Sequence, residues 1–199
     1  MSKVYFKYGT MGSSKTLDLL RTNYNYIEGG KRTFLITSSI DDRYGVGKIT
    51  SRVGLSENAH AINANDRIID VIGDSIDKID VILIDEAQLL SSRQVKELVL
   101  ISEEYNIPII AYGLKNTFNN ELFEGSYSLM VYADKIEEIK SMCVIDGCNN
   151  KASYNLRFKH GKPVFTGKEI EIGGNDTYKQ VCRGHYLKYS NNLSELDKK

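Results

Sequence analysis

A short β-rich run, Val4-Tyr5-Phe6-Lys7-Tyr8, breaks into the small-residue turn Gly9-Thr10-Met11-Gly12-Ser13-Ser14 and closes on Lys15-Thr16. A helical pattern begins there. A strand that turns this sharply into a helix points successive backbone N–H groups into one concavity, which favours anions. The helix adds the positive end of its dipole. In a phosphate loop of the form G-x-x-x-x-G-K-[ST], Lys15 reaches β- and γ-phosphates and the Thr16 hydroxyl holds Mg²⁺. Ser14 stands where that pattern has its second glycine. The competing reading is an ordinary glycine-containing turn between a strand and a helix.

The pattern downstream fits a nucleotide-binding α/β unit. Lys3–Tyr8 reads as a strand. Thr16–Ile27 reads as a helix with Leu17, Leu20, Tyr24 and Ile27 at three- and four-residue spacing. Arg32–Thr37, Ala59–Asn63, Asp80–Asp85 and Ile107–Tyr112 read as strands. Ile68–Ile76 and Ser91–Tyr105 read as helices, the second opening on the capping-box pair Ser91 and Gln94 with Val95, Leu98 and Val99 as its stripe. Continuous apolar strands separated by helices predict a parallel sheet covered on both faces. Ile40–Asn58 is long, polar and glycine-bearing, and loops of that length are often functional.

From Met142 to His185 the character changes to short alternating runs with several glycines and all three cysteines. This predicts a division into an α/β unit over 1–140, a small β-rich unit over 141–189, and a flexible tail over 190–199. The 199 residues carry 26 basic and 26 acidic side chains, so the whole chain shows no electrostatic footprint for nucleic acid. No apolar run is long enough to span a membrane. The absence of a basic-then-apolar leader, with only three cysteines, predicts a cytoplasmic protein.

Two further clusters carry chemistry. Val81-Ile82-Leu83-Ile84 ends in Asp85-Glu86. A hydrophobic strand ending in Asp suits the Mg²⁺-organising acid of a phosphate-loop enzyme. Ligands of open α/β sheets bind at that carboxyl edge, where the second acid can take a proton from a nucleophile. The same pair occurs in helicase-type ATPases, so alone it does not separate phosphoryl transfer to water from transfer to a substrate. The other cluster is Cys143-x4-Cys148 with Cys182-x2-His185, which uses every cysteine. Thiolates and an imidazole suit tetrahedral Zn²⁺, and a site with all four positions filled by protein is structural. The alternative is three buried or loop thiols beside an unrelated histidine. His60 and His160 lie outside the pattern and read as ordinary residues.

In motif order over about residues 3–188, the chain resembles the type II thymidine kinases, the bacterial and cytosolic class with a RecA-like domain and a zinc-bearing lasso. Tyr8 to Thr16 resembles the family's phosphate loop, including its methionine. Asp41-Asp42-Arg43-Tyr44-Gly45 resembles its mobile-loop motif, and Asp85-Glu86-Ala87-Gln88 its metal-and-base motif. Gly113-Leu114, Phe118 and Phe123-Glu124-Gly125-Ser126 follow its glycine-leucine-to-phenylalanine segment. Ile172-Gly173-Gly174-Asn175-Asp176-Thr177-Tyr178 resembles the lasso signature.

The resemblance implies a fold, a reaction and a set of roles. MgATP would sit on Gly9, Thr10, Met11, Gly12, Ser13, Ser14, Lys15 and Thr16, with Asp85 and Gln88 beside it. Thr16 and Asp85 would hold Mg²⁺, Glu86 would accept the proton of the thymidine 5′-hydroxyl, and Arg43 would donate to the transferring phosphoryl oxygens. Met11, Leu114, Phe118, Gly173 and Tyr178 would bind the nucleoside, although Leu114, Phe118 and Tyr178 also read as ordinary packing residues. Structural Zn²⁺ would sit on Cys143, Cys148, Cys182 and His185. The family further implies a homotetramer and feedback inhibition by dTTP. A helicase-type motor and a non-catalytic binding module, the latter motivated by Ser14, are the other function classes.

Overall fold

The computed structural model describes residues 2–41, 43–167 and 177–190. Asp42, Gly173 with most of the lasso signature, and the tail beyond Ser190 lie outside the described residues.

In chain order the elements are β1 (Val4–Tyr8), α1 (Lys15–Glu28), β2 (Thr33–Ser38), β3 (Lys48–Thr50), β4 (Ser56–Asn58), β5 (His60–Ile62) and α2 (Ile68–Ile72). Then come β6 (Val81–Ile84), α3 (Ser92–Tyr105), β7 (Ile109–Gly113), α4 (Glu124–Tyr132) and β8 (Lys135–Glu138). The last part holds β9 (Ser141–Met142), β10 (Lys151–Ala152), β11 (Tyr154–Lys159), β12 (Lys162–Val164), β13 (Tyr178–Val181) and α5 (Arg183–Tyr189).

Six strands form one parallel sheet in the order β5-β2-β6-β7-β1-β8. Its interior follows from the two-residue period of a strand. In β6, Ile82 and Ile84 join one core with Ile36, Ile109 and the α3 residues Val95, Leu98 and Ile101. Val81 and Leu83 join the opposite core with Leu35, Tyr112 and the α1 residues Leu19 and Leu20. All four β6 side chains are buried, which is why the strand reads as a continuous apolar run. From Ser141 onward the strands pair antiparallel, with β11 central between β12 and β13. Pro163 falls on the edge strand β12, where a missing N–H costs no ladder bond.

Several local expectations change. The buried face of α1 is Leu19, Leu20 and Asn23, whereas Tyr24 and Ile27 face solvent. Asn23 is held by the Thr33 hydroxyl, which donates to its Oδ1 at 2.6 Å and ties α1 to β2. The polar stretch after β2 is not a plain loop, because β3 and β4 pair within it as a hairpin. The helix expected over Ile68–Ile76 stops at Ile72 and continues as a tighter 3₁₀ segment from Gly73, whose φ is +56°. α3 has the full capping box: the Ser91 side chain accepts from the Gln94 N–H, and the Gln94 side chain accepts from the Ser91 N–H at 3.0 Å.

α4 and β8 had no clear sequence signal. α4 buries Gly125, Ser126 and Ser128 instead of an apolar stripe. A Cβ on Gly125 would lie 2.8 Å from the Leu90 carbonyl and 3.0 Å from the Gln88 carbonyl, so close backbone approach replaces side-chain packing. Among the described residues, no helix is long and apolar enough to cross a membrane.

Candidate active site

The candidate residues emerge at the carboxyl edge of the parallel sheet. β1 runs into the loop Gly9–Ser14, β2 leads to Asp41 and Arg43, β6 ends at Asp85 and Glu86, and β7 ends at Leu114. One cavity is lined by Met11, Gly12, Ser14, Lys15, Thr16, Arg43, Glu86, Gln88, Leu114, Phe118 and Tyr178. The structure therefore brings loop, acid and apolar candidates together.

The loop has its backbone bent where a nest requires it. Gly12 has φ +79°, and Ser14 has φ 64° and ψ 27°, both in the left-handed region. Ser14 lacks a side-chain cap bond to the α1 N-terminus. Gly9, Thr10 and Ser13 are buried behind the cavity wall. The Gly9 N–H donates to the Gly113 carbonyl at 3.2 Å, and the Thr10 and Ser141 hydroxyls lie 2.6 Å apart. The Ser13 hydroxyl is buried without a hydrogen-bond partner. Lys15 folds back on the loop, its Nζ donating to the Thr10 carbonyl at 2.8 Å and more weakly to the Gly9 carbonyl at 3.3 Å. Burial pushes the Lys15 ammonium below its ordinary value; Glu86 and Asp85 oppose this, and Arg52 and Arg43 add to it.

The acids occupy different surroundings. Asp85 is buried, and burial, then the neighbouring Glu86 charge, pushes its carboxyl up to about 7. The Thr16 hydroxyl bonded to it, and Lys15, pull the other way. Glu86 sits at φ 52°, ψ 37°, an uncommon conformation for a non-glycine residue and one that clusters at functional sites. Arg43 Nη2 donates to Glu86 Oε1 at 2.8 Å, and the Gln88 amide donates to Oε2. Arg43 also grips Asp41 with two bonds of 2.7 Å. Those hydrogen bonds, Asp41 first and then the Glu86 charge, hold the guanidinium well above its ordinary value. The other end of Gln88, Oε1, accepts from the Leu114 N–H at 2.9 Å. Gln88 thus fixes Glu86 relative to the start of the apolar wall.

That wall is braced from the antiparallel unit. Phe118 is nearly fully buried, with the Arg157 guanidinium 4.1 Å from its ring centroid and the Tyr186 hydroxyl donating to its carbonyl at 3.2 Å. Asn155 Oδ1 accepts from the Met11 N–H at 2.8 Å, which ties β11 to the phosphate loop. Sequence reasoning missed Asn155 and Arg52, both of which line the cavity. Neither belongs to a spaced motif. The only signal was that Arg52 lies in the long segment already singled out as functional.

Cys143, Cys148, Cys182 and His185 converge, with one ligand atom from each lying within 4.8 Å of the others. Tetrahedral Zn²⁺ with ordinary bond lengths would put sulfur pairs at about 3.8 Å and sulfur–nitrogen pairs at about 3.6 Å. Cys148 Sγ and Cys182 Sγ are 3.9 Å apart, and His185 Nδ1 is 3.4 Å from Cys143 Sγ and 3.3 Å from Cys182 Sγ. Donor type, number and spacing fit that metal. His60 instead stacks on Phe34 with a centroid separation of 4.2 Å, and His160 occupies a left-handed turn position.

The family model described as thymidine kinase matches residues 2–186. The chain is 48% identical to a thymidine kinase of Streptococcus gordonii over 94% of this chain and 97% of that one. It is 47% identical to a thymidine kinase of Lactococcus lactis over 94% of this chain and 98% of that one. A Pif1 helicase from Candida albicans overlays with TM-score 0.46 and 11% identity, covering 70% of this chain and 36% of the helicase. The chain belongs to the thymidine kinase family.

Proposed function

We propose that this chain transfers the γ-phosphoryl group of ATP to the 5′-hydroxyl of thymidine, giving dTMP and ADP. The observation that carries the reading is the shared cavity in which Lys15, Thr16 and Glu86 lie with Leu114, Phe118 and Tyr178. A cavity of that kind accepts a polyphosphate and a flat apolar-faced base together.

The geometry supports the following roles. Backbone N–H groups of the loop receive the phosphates, and Lys15 exchanges its carbonyl partners for phosphate oxygens. Thr16 and the buried Asp85 would hold Mg²⁺, which when bound neutralises charge on the β- and γ-phosphate oxygens. Glu86 takes the proton of the attacking hydroxyl. Its bonds from Arg43 and Gln88 fix the carboxylate in orientation before substrate arrives. Arg43 donates to the transferring phosphoryl oxygens. Catalysis by such a site is mostly positioning and charge stabilisation. Cys143, Cys148, Cys182 and His185 would hold Zn²⁺, which when bound cross-links the segments that carry them.

The same reading divides the chain into a nucleotide-binding part over 1–140 and a lasso over 141–189 that closes on the nucleoside, in a dTTP-inhibited homotetramer. The test is a nucleoside panel with MgATP, scored for monophosphate. Thymidine-dependent dTMP formation is expected; if no pyrimidine deoxynucleoside yields product while ATP still binds, the binding-module reading replaces this one.

A further inference from the structure

Three cations face the phosphate end of the cavity: Lys15, Arg43 and Arg52. Two have their charge engaged within the protein. Arg43 is bonded to both Asp41 and Glu86. Lys15 donates to two loop carbonyls and lies in the fields of Asp85 and Glu86. Among the described residues Arg52 forms no ion pair and no hydrogen bond through its side chain, although it lies close enough to Lys15 to act on it electrostatically.

Its placement is built rather than incidental. Arg52 follows β3 in the turn that leads to β4. Ser51, buried, closes that turn: its N–H donates to the Leu55 carbonyl at 2.8 Å, and its hydroxyl accepts from the Leu55 N–H at 3.2 Å. The Thr50 and Ser56 hydroxyls, 2.8 Å apart, join the strands just behind. Gly54, at φ +89°, completes the reversal. The hairpin presents the guanidinium to the phosphate loop. Arg52 Nη1 lies 3.4 Å from the position a Cβ on Gly12 would occupy, at the loop's left-handed bend.

We propose that Arg52 is a γ-phosphate-binding residue, carried on the β3–β4 hairpin, that makes the site prefer a nucleoside triphosphate to a diphosphate. A loop of this type cradles the inner phosphates with backbone N–H groups and meets the outer ones with its lysine. An unpaired guanidinium beside that loop adds planar N–H donors matched to phosphate oxygens. It also sets the charge balance. Of the three cations that line the cavity, Lys15 and Arg43 are already engaged with the protein, so Arg52 supplies the positive charge left over for an incoming phosphate.

The inference rests on the reading of the loop as a phosphate-donor site, but not on the identity of the nucleoside. The test is calorimetric titration of the full chain, as wild type, Arg52→Gln and Arg52→Lys, in the presence of Mg²⁺. The ligands are ADP, the β,γ-imido analogue of ATP, and thymidine. Arg52→Gln is expected to weaken the triphosphate about ten- to a hundredfold, the range for a hydrogen bond to a charged group. ADP and thymidine should change less than about threefold, and Arg52→Lys should recover part of the loss. Arg52 is exposed, so unchanged melting should accompany these effects. Equal weakening of ADP and the triphosphate, or no weakening of either, overturns the proposal. A wild type that binds the triphosphate through Arg52 but phosphorylates no nucleoside leaves this inference standing and removes the thymidine reading. A wild type that binds neither nucleotide removes both.

Discussion

Replacing Ser14 with glycine isolates the energetics of the phosphate loop. Ser14 occupies the left-handed region at φ 64°, ψ 27°, is exposed, and makes no cap bond. A residue with a Cβ costs roughly 1–2 kcal/mol there. Glycine returns roughly 0.5–1 kcal/mol of that gain through its larger unfolded-state freedom. The net for Ser14→Gly is therefore a stabilisation of about 0.8 kcal/mol, or about 2–3 °C in melting temperature for a chain of this size. The kinetic consequence is different. The strained angles already exist in the free protein, so their cost is the same before and after ATP binds and cancels from the affinity. Accordingly kcat/KM for ATP should move by less than about threefold, not the tenfold or more expected if strain arose only on binding. Thermal melts of the free protein and steady-state kinetics at saturating thymidine check the two halves separately. A fall in melting temperature would refute the strain assignment. A loss of kcat/KM beyond tenfold would show that the Ser14 hydroxyl itself contacts phosphate.

Glu86→Gln keeps the shape and the Arg43 contact geometry but cannot accept a proton, so single-turnover chemistry should slow by about 10² to 10⁴ while thymidine affinity stays within a few-fold; turnover above a tenth of wild type, with chemistry rate-limiting, removes Glu86 from that role. Asp85, with its carboxyl pushed up to about 7, contributes a stability that is complete below its unfolded value near 4 and is lost as pH rises through about 7. Asp85→Asn should therefore flatten the pH dependence of the urea midpoint between about pH 4 and about pH 7 in the nucleotide-free protein, and an undiminished slope would contradict the assignment. Purified protein should contain about one zinc per chain, and Cys143→Ser should weaken thymidine more than ATP, as read by titration with each ligand; metal-free protein with unchanged thymidine affinity would speak against the zinc site.

What could be read from the sequence was whatever has a period or a fixed spacing. β6 announced itself as four consecutive apolar residues because it is buried on both faces, and Asp85 and Glu86 follow directly at its carboxyl end. The capping box at Ser91 and Gln94 formed as spaced. α4 was silent because its contacts are made by Gly125 and Ser126 against backbone, and small residues have no hydrophobic period. The stripe expected on α1 is rotated: its buried face includes Asn23, a polar residue that apolar spacing does not count and that Thr33 satisfies, while Tyr24 and Ile27 face solvent. Arg52 and Asn155 were illegible for another reason. Both sit beside the phosphate loop only through the fold, Asn155 on the Met11 N–H and Arg52 near Gly12, and nothing in their immediate neighbours encodes that.

The cysteine cluster and the apolar slot looked independent in the sequence, yet the structure joins them through few steps. His185 is one residue before Tyr186, on the short helix α5 that opens at Cys182. The Tyr186 ring stacks on Tyr154 at 4.6 Å, and its hydroxyl reaches the Phe118 carbonyl at 3.2 Å. On the same unit β11 carries Arg157 over the Phe118 ring and Asn155 onto the Met11 N–H. Phe118 is thus held at its backbone by α5 and on its ring face by β11. A seven-residue helix is too short to be stable alone, so its position depends on what ties its ends. The thiol and imidazole groups at Cys182 and His185 tie one end to Cys143 and Cys148. Loosening the cluster therefore releases Tyr186 first and Phe118 next. The phosphate loop, whose Gly9 is bonded to β7 through Gly113, keeps its own anchor in the parallel sheet. That separation of supports is the physical reason a lesion at the cysteines should be felt at the nucleoside before it is felt at ATP.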